Sequence, residues 1–198
     1  GETEASAPDI PSEDVSEVDD DLAADPGPEV PPEPTVYDPF GADSVLAIDI
    51  SLGEEALATI EENGNSTVEA EVTVGDQAAI TSTVSLRSVN KELPGLQGKA
   101  GFNVRFDGVD EAGRLGRYSM LRLENMARDK SLMRESFSAS VFRALDLPAS
   151  LTRYVWLTIN GDPFGLYLAV ETPDQEPMVE RAFGTTEGLA YESRGNRD

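Results

Sequence analysis

Val155-Trp156-Leu157-Thr158-Ile159-Asn160-Gly161-Asp162-Pro163-Phe164-Gly165-Leu166-Tyr167-Leu168-Ala169-Val170 reads as two β-strands around a turn. The first strand begins at about Arg153 and is rich in β-branched and aromatic residues. Asn160-Gly161 then supplies the left-handed backbone that a tight hairpin turn requires. The same logic extends outward. Val68-Glu69-Ala70-Glu71-Val72-Thr73-Val74 alternates strictly, Gly75-Asp76 turns, and Ile80 to Arg87 returns, which predicts a second hairpin. Ser44 to Ile50, Ala100 to Phe106 and Tyr118 to Leu123 add further strands. Glu54 to Glu62 reads as a short helix stopped by Asn63-Gly64-Asn65.

The helix with the strongest pattern begins near Asp129, with Asp129 or Ser131 as its cap. Leu132, Met133, Phe137, Val141, Phe142 and Leu145 form an apolar stripe at helical spacing, and Asp146-Leu147-Pro148 ends it. A last helix runs from Asp174 to about Phe183, and Leu189 to Glu192 reads as the start of another strand. The expected fold class is α+β: a mostly antiparallel sheet with one dominant helix packed against it. Trp156, Tyr167, Phe164 and Phe102 are expected in its core.

Composition removes whole classes of chemistry. The chain has no cysteine and no histidine. Thiol nucleophiles, Cys-ligated zinc, Ser-His-Asp catalysis and His-ligated metals are therefore excluded, leaving hard, oxygen-bound ions such as Mg²⁺, Mn²⁺ or Ca²⁺. A net charge of -23 argues against a nucleic-acid partner. No hydrophobic run approaches the ~20 residues of a transmembrane helix.

The charge is unevenly placed. Residues 1–43 hold 14 Asp or Glu, eight of the 13 prolines, and no Lys or Arg. Such a segment buries too little apolar surface to offset its ordering entropy, so 1–43 is expected to be a disordered, extended linker. An acidic, Pro-rich stretch at the start of a chain that opens on Gly1 rather than Met also fits the tether of a lipoprotein with an N-terminal lipid anchor.

Several strings, taken in order, resemble the CotH (spore-coat protein H-like) family of secreted kinases. They are Gly98-Lys99-Ala100-Gly101-Phe102-Asn103-Val104-Arg105-Phe106, then Leu121-Arg122-Leu123-Glu124-Asn125, then Asp129-Lys130-Ser131-Leu132-Met133-Arg134-Glu135. The last is Asn160-Gly161 followed by Gly165-Leu166-Tyr167 and Glu171. The resemblance implies an atypical protein-kinase-like N-lobe over 44–192. It further implies that 193–198 leads to a C-terminal lobe beyond Asp198, where the acidic metal-binding and catalytic residues of the family lie. No catalytic or metal-binding residue is then expected within this chain.

The same resemblance implies ATP with Mg²⁺ or Mn²⁺ as the bound nucleotide, Ser or Thr of an exported protein as acceptor, and an extracytoplasmic location. Read from the residues alone, Lys99 is an exposed lysine at a strand start; the resemblance makes it a phosphate contact. Glu135 is either a helix N-terminal acid favoured by the macrodipole or the ion-pair partner of Lys99. Arg134 is a second phosphate candidate. Val170 and Glu171 are either the end of an edge strand or, through their backbone, the place where adenine is met. The alternative function is a non-catalytic envelope or coat scaffold, or a pseudokinase, that binds protein partners.

Overall fold

The computed structural model describes residues 36–87, 96 and 98–187. Seven strands and three helices follow in the order β1 (Leu46–Ser51), α1 (Glu54–Glu62), β2 (Thr67–Val74), β3 (Ile80–Arg87), β4 (Gly101–Arg105), β5 (Met120–Glu124), α2 (Arg134–Ala144), β6 (Thr152–Ile159), β7 (Asp162–Val170) and α3 (Glu176–Phe183). The strands pair in the ring order β1-β2-β3-β4-β5-β7-β6 and close into a barrel. All neighbours are antiparallel except β1 and β6, which run parallel with Leu46 opposite Val155 and Ile50 opposite Ile159.

Alternation builds the interior. Ile48 and Ile50, Val72 and Val74, Val84, Phe102 and Val104, Leu121 and Leu123, Val155 and Leu157, and Tyr167 and Ala169 all point inward and are buried. A barrel of about eight strands has an interior just wide enough for side chains to fill. Here three buried rings, Phe102, Phe106 and Tyr167, supply much of that volume. α1 adds Ile60, which is wholly buried, with Ala56 and Leu57 packed against the same core.

This architecture corrects the expected fold class. The chain is not an α+β sheet under one dominant helix, nor a kinase-like N-lobe; it is a closed, mixed, seven-stranded barrel with three short helices. The physical reason is that a period-2 pattern marks an apolar strand face without saying what covers it. Closure of the ring covers most of it here, so no dominant helix is needed. α2 accordingly buries none of its residues. Its half-buried side is Ser136, Ala139 and Arg143, while Met133, Phe137, Phe142 and Leu145 are exposed by 50–64%. Trp156, expected in the core, lies on the outer face of β6 and is 48% exposed.

The folded unit reaches back to Val36. Phe40 meets Tyr118 edge-on with 5.2 Å between ring centroids. Arg153 donates to the carbonyls of Pro39 and Ser44, at 2.8 Å each. Of the expected linker, residues 1–35 lie outside the described residues. So do the strand expected at Leu189–Glu192 and the connection at 193–198. Among the described residues no helix is long and apolar enough to cross a membrane.

Candidate functional site

β5 carries two alternating sets of side chains. Leu121 and Leu123 face the core, while Arg122 and Glu124 face outward. β3 delivers Arg87 and α2 delivers Glu135 to the same outer surface. Arg87 Nη2 lies 3.1 Å from Glu124, and Arg122 Nη2 lies 3.1 Å from Glu135. Arg122 Nε is 3.0 Å from the Glu124 carboxylate, but it lacks the alignment of a hydrogen bond. Burial raises the Glu135 carboxyl above its ordinary range and neighbouring Glu124 adds to this, while the Arg122 guanidinium opposes both.

After β5 the chain turns sharply. Asn125 Oδ1 accepts the Ala127 N–H at 3.0 Å. Asp129 then organises the start of α2: one carboxylate oxygen accepts the Ser131 N–H and hydroxyl, and the other accepts the Arg134 N–H at 2.6 Å. These bonds, led by the Ser131 hydroxyl, lower the Asp129 carboxyl pKa. The helix thus begins at Arg134 with Met133 as its N-cap, later than expected, and neither Asp129 nor Ser131 occupies the cap position; Asp129 instead takes up the first helical N–H from five residues ahead. Met126 and Leu132 both take left-handed backbone, with φ of 53° and 57°. Bulky side chains rarely adopt that region, and such strain concentrates at functional sites.

A cavity of about 520 Å³ opens between this turn and the first turns of α2. Its apolar floor is Met126, Leu132 and Leu168, and its rim carries Arg128, Arg134, Asp129 and Glu135. Among the described residues, Arg128 and Arg134 form no ion pair. The volume suits a small-molecule ligand. The cavity's lining brings two guanidinium groups, of Arg128 and Arg134, together with three carboxylates, of Glu124, Asp129 and Glu135, around apolar Met126, Leu132 and Leu168. Among the described residues no group of three or more metal-ligating side chains comes together.

The expected site residues occupy three places. Arg134 and Glu135 line the cavity. Val170 is buried beside its floor, in a small cluster with Met126 and Leu168. Lys99 stands at the end of the barrel where β7 begins, its ammonium 5.1 Å from the centroid of the Tyr167 ring. It does not pair with Glu135, which Arg122 holds instead.

Glu171 lies at the opposite end of the barrel, six residues of β7 beyond Gly165 or roughly 20 Å at ~3.3 Å per residue. Its carboxylate is wholly buried and is gripped by the Arg181 guanidinium, by the Leu151 N–H at 2.9 Å and by the Tyr118 hydroxyl at 3.4 Å. Its own N–H donates to the Leu151 carbonyl at 3.0 Å. Glu171 thus fastens α3 to the barrel. Burial, and then Glu171 itself, push the Tyr118 hydroxyl pKa upward.

Arg122 and Arg128 were not singled out by sequence reasoning. The alternation Met120-Leu121-Arg122-Leu123-Glu124 does place Arg122 outward, but nothing in it names Glu135 as partner.

A family model for the CotH kinase protein matches residues 97–197, just over half of the chain. The chain belongs to the CotH kinase family. The matched region starts before Lys99 and includes β4, β5, the cavity, α2 and the β6–β7 hairpin. An inner spore coat protein H-like protein of Bacillus subtilis (strain 168) is 38% identical over 56 residues, which are 28% of this chain and 18% of that protein. The alignment therefore spans less than a fifth of that relative's length.

Proposed function

We propose that this chain is the nucleotide-binding part of a CotH-type protein kinase, and that the cavity between β5 and α2 receives ATP. The observation that carries the reading is a cavity lined by apolar Met126, Leu132 and Leu168 and by Arg128 and Arg134, neither of which has an ion-pair partner among the described residues. Adenine rests on Met126, Leu132 and Leu168, and the phosphates meet Arg128 and Arg134. Lys99 stands one residue-to-residue bridge away, through Asn125. Glu135 holds α2 against β5 through Arg122, which keeps Arg134 at the rim.

In the complete reaction the γ-phosphorus forms a bond to a Ser or Thr hydroxyl oxygen of an exported protein. The bond to the β,γ-bridging oxygen breaks, ADP leaves, and the hydroxyl proton goes to a base. Mg²⁺ or Mn²⁺ would spread the charge of the phosphates. Glu124, Asp129 and Glu135 are the carboxylates that line the cavity and could assist there. The spore-coat association in the relative's name supports an extracytoplasmic location for this chain as well, and the acidic N-terminal segment supports a tether there.

A second reading is a scaffold or pseudokinase, favoured by the outward apolar face of α2. Met133, Phe137, Phe142 and Leu145 are each at least half exposed, and exposed apolar side chains brought together mark interaction surfaces. Calorimetric titration of Mg·ATP into the protein at its full natural length separates the two. The kinase reading predicts saturable binding that Arg134→Ala weakens at least about tenfold, the scale of a lost charge-assisted contact. Absence of binding contradicts it and leaves the scaffold.

A further inference from the structure

One buried amide links the wall of the proposed nucleotide cavity to Lys99, the lysine that the family resemblance marks as a phosphate contact. Asn125 is 6% exposed and stands at the end of β5. Its Nδ2 donates to the Lys99 carbonyl at 2.7 Å, and its Oδ1 accepts the Ala127 N–H at 3.0 Å. The orientation of the amide is unambiguous, because a carbonyl only accepts and a backbone N–H only donates.

Each arm holds a residue with unfavourable backbone. Lys99 has φ 55°, and Met126, enclosed by the Asn125–Ala127 turn, has φ 53°. Left-handed backbone is costly for any side chain with a Cβ and persists only where the surroundings enforce it. At Lys99 the enforcement is threefold. Its N–H donates to the Leu96 carbonyl at 3.2 Å, Asn125 holds its carbonyl, and the Tyr167 hydroxyl donates at 2.8 Å to the carbonyl of the next residue, Ala100. The Tyr167 ring then lies under the Lys99 ammonium. At Met126 the enforced turn aims the side chain onto Leu168 and Val170 and makes it part of the cavity floor.

We propose that Asn125 is a positioning residue of the nucleotide site: its side-chain amide fixes Lys99 relative to the wall of the β5–α2 cavity. This inference rests on the nucleotide reading given above. No other side chain of similar size serves both arms. Aspartate sets an oxygen against the Lys99 carbonyl, and leucine satisfies neither partner. Serine keeps an acceptor for the Ala127 N–H but is too short to reach Lys99.

The test is Mg·ATP titration of the wild type, Asn125→Ser, Asn125→Asp, Lys99→Ala and the double variant Asn125→Ser with Lys99→Ala, with the folded fraction of each fixed by circular dichroism. The proposal expects Asn125→Ser to bind at least tenfold more weakly than wild type. It expects the effect to vanish in the Lys99→Ala background, because the ammonium that Asn125 positions is then absent although the bond to the backbone carbonyl of residue 99 remains. It also expects the Asn125→Asp affinity, taken as a ratio to wild type at each pH, to recover as the pH falls and the carboxyl gains a proton to donate. A merely structural Asn125 would lower thermal stability but leave the affinity of the folded protein unchanged, and that result overturns the proposal. Strict additivity with Lys99→Ala overturns it too. Failure of the wild type to bind Mg·ATP overturns the nucleotide reading first and this inference with it. If Asn125→Ser does not fold, the pH recovery of Asn125→Asp decides.

Discussion

The apolar side chains of the barrel interior and those of α2 and its ends meet opposite fates. Ile50, Val72, Phe102, Leu121 and Leu157 have no accessible surface, whereas Phe137 and Leu145 on α2 keep about two-thirds of theirs. The strands' inward residues largely cover one another, with Ile60, Ala56 and Leu57 of α1 completing the same core. α2 touches the barrel through Ser136, Ala139 and Arg143, and through the Tyr154 hydroxyl on the Leu132 carbonyl and Arg143 on the Ser150 carbonyl. Amphipathicity therefore reports that a face wants covering, and it does not say by what. In this family member the barrel is closed, while α2 lies outside it, lines the cavity with Arg134 and Glu135 at its N-terminal end and leaves its apolar side chains open.

The largest test of that contrast is a matched pair of truncations. Phe102→Ala should cost about 3–5 kcal/mol through the cavity it leaves in the barrel. Phe137→Ala, already exposed, should change stability by less than about 0.5 kcal/mol. Urea denaturation of the two variants measures both, and equal losses would mean that α2 packs as tightly as the barrel does.

Glu171→Ala should come next. A fully buried carboxylate loses its ion pair with Arg181, and breaking such a pair costs about 3–5 kcal/mol when both partners are sealed from water. Arg181 is 36% exposed and can rehydrate, so the loss should sit at or below about 3 kcal/mol. Hydrogen exchange should show α3 opening while α2 is unchanged.

How much of this was legible follows from the same residues. Strand positions were readable because alternation such as Val68 to Val74 survives any pairing scheme. The span of α1 was readable from its turn-forming stop at Asn63-Gly64. Closure was not readable. It depends on Leu46 meeting Val155 and Ile50 meeting Ile159, with Asn160 bonding the backbone of Leu52 and Asp49 bonding Thr158 across more than 100 residues. No local period encodes such partners. In the candidate site, Arg134 and Glu135 fall together because one short helix carries both. Lys99 and Glu171 sit at opposite barrel ends, and their separation depends on the register of β4, β5 and β7. The exposure of the α2 stripe was hidden for the reason already given: pattern without partner.

A smaller effect concerns acid. Burial tends to raise the Asp49 carboxyl, but the Thr158 and Ser51 hydroxyls and the Gly161 N–H outweigh it, so its folded pKa is lowered. Asp129 is lowered as well, chiefly by the Ser131 hydroxyl. A lowered carboxyl contributes stability that is present above its unfolded value, near ~3.9, and is lost as pH falls through the folded value. Asp49→Asn should flatten the loss of stability below about pH 4, in the barrel's β1–β6 seam. Asp129→Asn should do so more weakly and only at α2. Glu135 has the opposite sign: its raised pKa means that protonation on acidification relieves a cost, so Glu135→Gln should leave neutral-pH stability unchanged or slightly higher. Thermal melts from pH 3 to 7 read all three.

The most direct test of the central claim is photolabelling of the protein at its full natural length with 8-azido-ATP and Mg²⁺, followed by peptide mapping. The account predicts that the label falls between Glu124 and Ser138, is competed by ATP, and is lost with Arg134→Ala. Competed labelling confined to peptides outside that stretch, or no competed labelling at all, would contradict it.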